Sequence, residues 1–322
     1  MLNSNYFTFH RWRTFLRKFK FFVQNQLSIA YHTLQSLRVT IALIAANQDC
    51  CFYSFERGDQ SGARIHDEIF ASGFCYHNQR RYCGPLFIKA DATDDTGRLR
   101  KLLNLPTAKK RSCSNILLHE TLYRERPAEK FHYRLSIDEL ILQAFKVKLI
   151  WNPEILLNQN FLHKLRTQAT LDIKTRLNSV VLHIRRGDVN SEQHPVRFTS
   201  VDYYINIIRE LSELDPDLKF TVHSQSHGYT SQELNALGKI ANVILDADIC
   251  LSWEDMIKAE IFVMAKSSFS YVPALYCKGL VVYQSFWHGK LDGWLEFDKS
   301  SPIDILNVIK SKRSESEHEE FR

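Results

Sequence analysis

The first 48 residues contain no aspartate or glutamate, although the whole chain has an ordinary charge balance. Across 322 residues there are 42 lysines and arginines and 36 acids, a net charge of +6. The basic residues of this first segment account for the whole excess, so the rest of the chain is balanced. A nucleic-acid-binding surface needs clustered positive charge on the folded body. We therefore expect no nucleic-acid partner.

Long apolar runs and paired cysteines are also missing. The longest clean apolar run, residues 41–46, is far shorter than the roughly 20 residues that a membrane-spanning helix needs. A cleavable signal peptide is not indicated. The 7 cysteines are scattered, without any Cys-x-x-Cys spacing. This pattern argues against a disulfide scaffold or a structural zinc site, and it favours a reducing, cytoplasmic location.

One stretch of the acid-free segment is amphipathic at helical spacing. Residues 11–23 gather their aromatic and aliphatic side chains on one stripe and carry most of their basic side chains elsewhere. Such a helix suits an anionic membrane surface. An ordinary helix packed on the protein is the alternative. The sequence therefore predicts a basic N-terminal segment, residues 1–48, that is a candidate for peripheral membrane contact.

The body of the chain opens with a strand, a loop that contains glycines, a helix and a second strand, over residues 51–88. This order is typical of a doubly wound α/β domain. The loop lacks a full Gly-x-Gly-x-x-Gly pattern, so it does not predict a dinucleotide site. Glu56 and Asp59 lie in this loop, where a catalytic carboxylate could project. Solvated acids that cap the helix are the alternative interpretation of both.

From residue 179 onward, short apolar strands alternate with helices up to a last strand at residues 280–283. Repeated strand–helix units predict a parallel sheet with right-handed crossovers. We expect α/β domains over residues 49–175 and 176–300. Residues 301–322 should form a C-terminal helix and a charged tail, which we expect to be disordered from residue 311.

Two adjacent arginines follow the strand that ends near residue 184. His183, Arg185, Arg186 and Asp188 would all lie at its carboxyl end, where open α/β sheets bind their ligands. Two unpaired guanidinium groups cannot both be buried in a core without a large cost. Side chains alternate along a strand, so one arginine can face a ligand while the other anchors the loop or binds a second oxygen. This pattern predicts an anion clamp for a diphosphate.

A second polar turn lies at residues 266–270, between an apolar strand and an apolar helix. The hydroxyl groups of its serines and the first amides of the helix could bind an anion, assisted by the helix dipole. Simple N-capping by Ser267 or Ser268 is the alternative. In a parallel sheet this turn and the arginine pair would open on the same edge.

Both turns resemble motifs of one enzyme superfamily. The run His183-Ile-Arg185-Arg186-Gly-Asp188 resembles the His-x-Arg-Arg-x-Asp motif of the fucosyltransferase superfamily, which includes α-1,2-, α-1,6- and protein O-fucosyltransferases. The sequence Ser-Ser-Phe-Ser at 267–270, after an apolar strand, resembles a later motif of the same enzymes. The resemblance covers about residues 178–285.

The resemblance implies a GT-B-like α/β fold with two Rossmann-like halves and a parallel sheet in each. Residues 49–175 would form the acceptor side, and residues 176–300 would bind the nucleotide sugar without a metal. Arg185 would bind the β-phosphate, Arg186 would support it, and one of three acids would recognise the base. The implied donor-binding residues are His183, Arg185, Arg186, Asp188, Asp246, Asp248, Asp255, Ser267, Ser268, Phe269 and Ser270; the three aspartates numbered from 246 to 255 are the candidates for the base.

The expected activity is inverting, metal-independent transfer of fucose, or of a related deoxyhexose, from a GDP-sugar to a hydroxyl of a glycan or glycolipid. Arg185 would stabilise the leaving diphosphate, and Asp59, or else Glu56, would accept the proton of the acceptor hydroxyl. One alternative is a metal-dependent glycosyltransferase that uses Asp246 and Asp248 as metal ligands. The other is a non-catalytic protein that binds a sugar nucleotide or a glycan.

Overall fold

A computed structural model describes residues 51–55, 61–77, 79, 81–86, 95–106, 115–118, 139–142, 157–296 and 301–320. The amphipathic segment at residues 11–23 lies outside these ranges, and so do Glu56 and Asp59. Predictions that concern them are therefore not addressed by the architecture below.

The described part of the chain contains ten strands and eight helices in the following order. They are β1 (Cys51–Phe55), α1 (Ser61–His77), β2 (Arg81–Leu86), α2 (Asp95–Leu102), β3 (Asn115–Leu118), β4 (Glu139–Leu142), α3 (Gln159–Gln168), β5 (Arg176–Ile184), α4 (Val201–Leu214), β6 (Lys219–Ser224), α5 (Ser231–Gly238), β7 (Asn242–Leu245), α6 (Ile249–Lys258), β8 (Ala259–Val263), α7 (Ser268–Tyr276), β9 (Leu280–Tyr283), β10 (Leu295–Glu296) and α8 (Pro302–Glu320).

The first four strands form one sheet in the order β2-β1-β3-β4, and all of its described pairs are parallel. The chain runs outward from β1 to β2 and then returns to β3 on the other side. The direction of winding therefore reverses between β1 and β3. In open α/β sheets, the crevice at such a reversal is where ligands bind.

The remaining strands form a second parallel sheet in the order β10-β9-β8-β5-β6-β7. Counted along the chain from β5, this is the strand order 3-2-1-4-5-6 read in reverse, which is that of dinucleotide-binding Rossmann domains. The winding reverses between β5 and β8, which are direct neighbours. The turns that follow these two strands therefore flank the crevice of the second sheet.

The two faces of the second sheet bury different groups of side chains. Val180, Leu182 and Ile184 pack in the core that α4 and α8 cover, whereas Val181 packs in the core that includes α6 and α7. Because side chains alternate along a strand, residue 183 continues on the α6–α7 face. The alternation thus directs His183 toward the turn at the start of α7.

The α/β class with a parallel sheet in each half, predicted from the sequence, is confirmed. The C-terminal helix is longer than expected, because α8 continues to Glu320 through residues that the charge pattern predicted to be disordered. Cys83 is disulfide-bonded, which the scattered cysteines did not predict, while Cys75, Cys250 and Cys277 are free thiols. Among the described helices, none has the length and apolar character to cross a bilayer.

Candidate functional site

The two polar turns meet directly at the crevice between β5 and β8. Nδ1 of His183, at the end of β5, is hydrogen-bonded to Oγ of Ser270 in the first turn of α7. The ring of His183 also lies 5.1 Å from that of Phe269, measured between centroids. The same Ser270 oxygen accepts a hydrogen bond of 3.2 Å from the backbone amide of Ala265. The motif residues from distant parts of the sequence therefore form one contact network.

His183 is held in its neutral form. Burial lowers its pKa to about 3, and electrostatic interactions with Arg185 and His223 act in the same direction. Ser270 is fully buried, and its hydroxyl proton needs an acceptor. We infer that this hydroxyl donates to Nδ1 of His183, which places the imidazole proton on Nε2. A neutral histidine with a fixed tautomer can donate a hydrogen bond to a ligand without carrying charge.

Arg185 is positioned by an acid from its own motif. Its guanidinium lies 2.5 Å from Oδ1 of Asp188, and only 8% of the arginine side chain is exposed whereas the aspartate is largely accessible. Burial lowers the pKa of Arg185; the nearby charge of Arg197 lowers it further, and Asp188 opposes the shift. Asp188 therefore orients the arginine in this structure, and an anion would have to share or replace that contact.

Arg186 lies on the opposite side of the strand end, away from the α7 turn. It is almost fully buried, and it donates hydrogen bonds of 2.9 Å to the backbone carbonyls of Arg185 and Thr199. Its guanidinium lies over the rings of Phe198 and Tyr229, at 4.5 and 5.1 Å. These contacts make Arg186 an anchor for the loop. Side-chain alternation had left two roles possible for the second arginine, anchoring the loop or binding a second oxygen of the ligand.

A glycine allows this loop to turn. Gly187 has a φ of +74°, which side chains rarely adopt, and an added Cβ would lie 2.6 Å from Oε1 of Gln225. The motif therefore needs glycine at this position for its backbone conformation, and the resulting turn places Asp188 next to Arg185.

The serines at the start of α7 have different partners. Oγ of Ser267 accepts a hydrogen bond of 3.2 Å from the amide of Phe269, so Ser267 is the N-cap. Ser268 instead bonds Nε2 of His288 at 2.8 Å, and Nε1 of Trp287 donates to the same nitrogen at 3.2 Å. Because an indole N–H can only donate, Nε2 of His288 acts as an acceptor.

The first half of the protein reaches this turn through α1. A Cβ added to Gly62 would lie 2.6 Å from Cα and 2.7 Å from the backbone nitrogen of Phe269, so only glycine allows so close an approach. Four residues later, the buried ring of His66 stacks on that of His288, with centroids 3.8 Å apart. The crevice of the second sheet is thus closed on one side by the helix that follows β1.

The three candidate base-recognition acids have different surroundings. Asp246 adopts a φ of 50° and accepts a hydrogen bond of 3.1 Å from the amide of Ser226, and such bonds lower its pKa. Asp248 is the N-cap of α6 and is hydrogen-bonded to Arg98, which lowers the pKa of Asp248. Both acids thus already serve the local backbone or another side chain.

Asp255 is the one of these three acids that lines the cavity beside α6. It accepts a hydrogen bond of 2.9 Å from Nε2 of His223 and is paired with Arg176 at 2.5 Å, and these bonds lower its pKa, the His223 bond most. His223 is the register partner of His183 on the neighbouring strand. The cavity has a volume of about 640 Å³, and Ile244 and Leu251 contribute apolar wall.

A metal site is not evident in the described residues. No group of three or more histidine, cysteine or acidic side chains there has the arrangement of a metal site. Asp246 and Asp248 lie close in sequence, but their oxygens already cap a turn and a helix. The described residues therefore offer anion-binding chemistry, based on guanidinium groups, hydroxyls and helix amides.

Several residues of this network carry no motif in the sequence. His66, His223, Arg197, Trp287 and His288 are single residues without a diagnostic spacing, and an isolated histidine is more often structural. What distinguishes them is the contacts they make in the folded protein, such as His288 with Ser268 and Arg197 with Trp287. The sequence could only have identified them after the neighbouring strands were known.

No protein-family model matches this chain, and no curated protein matches it either. Among solved structures, the E. coli heptosyltransferase WaaC with ADP-2-deoxy-2-fluoro heptose is similar at a TM-score of 0.41 and 9% sequence identity, covering 82% of this chain and 99% of that one. The wall teichoic acid polymerase TagF is similar at a TM-score of 0.23 and 12% identity, covering 94% and 88%. At these scores neither similarity supports an argument about this chain.

Proposed function

We propose that this protein is a glycosyltransferase that takes a sugar from a nucleotide diphosphate sugar. The observation that supports this most is the contact of His183 with the start of α7, two residues before Arg185, at the winding reversal of a Rossmann-ordered sheet. A helix amino terminus, buried hydroxyls and an oriented guanidinium suit the charge of a departing diphosphate. The resemblance of both turns to fucosyltransferase motifs suggests fucose, or a related deoxyhexose, carried by GDP.

The proposed reaction is a single displacement with inversion and without a metal. The oxygen of an acceptor hydroxyl bonds to the anomeric carbon while the bond from that carbon to the diphosphate oxygen breaks. Negative charge develops on the diphosphate, and Arg185 and the amides of α7 stabilise it. The hydroxyl proton passes to a carboxylate, so the products are a glycoside and a nucleoside diphosphate.

Asp59 is our first candidate for the proton acceptor, and Glu56 is the second. Both follow β1 in the sequence, and β1 ends at the winding reversal of the first sheet. Asp59 is only three residues before Gly62, which contacts the start of α7. A glycan or glycolipid acceptor would therefore approach the site from the first half of the protein. If residues 11–23 contact a membrane surface, a glycolipid acceptor in that membrane would be close to this half.

Asp255 is our first candidate for recognition of the nucleotide base. Its cavity has apolar walls for a flat ring and lies on the same sheet face as His183. A carboxylate can accept hydrogen bonds from the ring N–H and amino group of guanine. Asp246 and Asp248 are second candidates, because the turn and the helix already use their oxygens.

The test is a panel of GDP-, UDP- and dTDP-sugars with simple glycan acceptors, assayed for transfer in excess chelator. We expect transfer from one donor, its loss by at least about a hundredfold in Arg185→Ala, and a weakened base preference in Asp255→Asn with pyrophosphate binding retained. Full activity in Arg185→Ala would contradict the proposal that Arg185 binds the leaving diphosphate. Loss of activity in chelator would instead favour the metal-dependent alternative, and donor binding without transfer or hydrolysis would favour a binding protein.

A further inference from the structure

The loop between β5 and α4 brings a second arginine to the edge that carries the site. The guanidinium carbon of Arg197 lies 5.3 Å from the centroid of the Trp287 ring. The backbone amide of Arg197 donates a hydrogen bond of 3.0 Å to the carbonyl of His194. A guanidinium stacked on an indole has a defined plane, and its N–H groups point outward from the ring.

Trp287 connects this arginine to the start of α7. Its indole nitrogen donates to His288, and His288 is bonded to Ser268. Arg185 follows His183, which contacts the same helix start through Ser270. Burial lowers the pKa of Arg185 most, and the nearby charge of Arg197 lowers it further. Arg197, through Trp287 and His288, and Arg185, through its neighbour His183, are therefore both connected to the start of α7, although they come from different parts of the loop.

Arg197 has no acidic partner among the described residues. Arg185, Arg176 and Arg98, in contrast, each contact an aspartate. The Nε atom of Arg197 is buried and has no hydrogen-bond partner in the described structure. Two neighbouring guanidinium groups repel each other, and one of them lacks a counter-charge. An anion with several oxygens between them would relieve both costs.

We infer that Arg197, which lies over the ring of Trp287, is the second guanidinium of the anion clamp and binds the leaving diphosphate together with Arg185. This inference rests on the proposed function. The motif indicated Arg186 as the supporting arginine, but Arg186 anchors the loop on the other side of the strand. Arg197 is a residue that the motif does not contain.

The experiment measures binding of inorganic pyrophosphate, GDP and UDP, with GMP and UMP as their monophosphate counterparts, by calorimetric titration of the full chain. We expect Arg197→Ala to weaken pyrophosphate and the preferred diphosphate by roughly ten- to a hundredfold and the monophosphate much less. The preference for the diphosphate should therefore shrink. Arg197→Lys should recover part of it, because a lysine keeps the charge but loses the planar fork.

Two further variants separate positioning from general damage. Arg209→Ala removes an exposed arginine from α4 and should leave every binding constant unchanged. Trp287→Leu should reduce the diphosphate preference less than Arg197→Ala does, because the cation stays while its orientation is lost. An equal loss of mono- and diphosphate affinity in Arg197→Ala would mean a structural role and would overturn the inference.

The outcomes also separate this inference from the function on which it rests. If Arg185→Ala abolishes diphosphate binding while Arg197→Ala binds normally, the inference fails and the proposed function stands. If the unmodified protein binds neither pyrophosphate nor any nucleoside diphosphate, both are overturned.

Discussion

For His183, the sequence predicts the position in a strand-end motif, whereas the structure identifies the residue that it contacts. The sequence identified it, because it begins a motif at the end of a strand. The sequence could not give its partner, since Ser270 is 87 positions away and becomes adjacent only when β5 and β8 pair. The sequence could not distinguish the roles of Arg185 and Arg186 either, because both side chains have the same chemistry. Only the geometry of the loop directs Arg185 to the crevice and makes Arg186 an anchor of the loop.

We predict that His183 makes stability fall as the pH is lowered. Its pKa is about 3 in the folded protein and near 6.5 in an unfolded chain, so between these values only the unfolded chain takes up the proton. The free energy of unfolding is unaffected by His183 above pH 6.5 and declines toward pH 3, by up to about 1.4 kcal/mol per pH unit. Urea unfolding at pH 7.5 and 5.0 should show a smaller decline in His183→Asn than in the unmodified protein.

Equal declines in the two proteins would contradict a buried neutral His183. Carboxylates contribute to acid destabilisation in both proteins, so the difference between them is the informative quantity. His194→Asn is the control, because it makes the same substitution in the loop before α4, away from the buried contact of His183 with Ser270.

At the scale of elements, local patterns in the sequence were sufficient for most of the second half. The strand predicted at residues 280–283 has the observed bounds of β9, Leu280–Tyr283, although the short strand β10 follows it and was not predicted. Helix α6 begins directly after Asp248, which is its N-cap. That acid had been considered only as a ligand for a base or a metal, although an aspartate before a helix is also a strong cap.

Asp248 is predicted to stabilise α6 and not to bind a metal. Its Oδ1 accepts from the amides of Cys250 and Leu251, at 3.0 and 3.3 Å. Asp248→Ala should lower the free energy of unfolding by about 1 kcal/mol, and Asp248→Asn by less, because asparagine caps helices equally well. Urea titration measures this, and donor binding should be unchanged in Asp248→Asn. A donor affinity that falls tenfold in Asp248→Asn, with stability retained, would restore this acid as a ligand-binding candidate.

At the scale of the whole molecule, the sequence predicted two α/β halves but could not predict how they touch. The contact depends on the absence of a side chain at Gly62, and a glycine in a loop has many other possible reasons. The predicted strand–helix alternation also left the strand order open. Only the order places β5 beside β8, and with it the two motifs at one crevice.

We expect Gly62→Ala to impair transfer more than it impairs folding. The added Cβ would meet backbone atoms of Phe269 at 2.6 and 2.7 Å, so α1 and the start of α7 must separate. A displacement of about 1 Å between reacting groups can cost up to a hundredfold in rate. Donor binding should change less, because the proposed donor residues are in the second half. Initial rates and donor affinities measured on the same preparation give the comparison.

Gly238→Ala is the matched control for that substitution. Gly238 is the last residue of α5, and a Cβ there would meet no atom within 4 Å. Alanine also favours helix by up to about 1 kcal/mol relative to glycine. This variant should therefore keep its full rate and melt at the same or a higher temperature. A Gly62→Ala protein as active as Gly238→Ala would show that the close approach is not needed.

The pairing of β5 with β8 also sets the order in which the crevice can appear during synthesis. Val180 pairs with Ile261, so β5 lacks its β8 neighbour until some eighty more residues have left the ribosome. Until then His183 has no Ser270 to bond, and nascent chains that stop before α7 have the arginine motif but no anion site. Emergence of β8 and of the start of α7 therefore decides when the two motifs can first meet at this crevice.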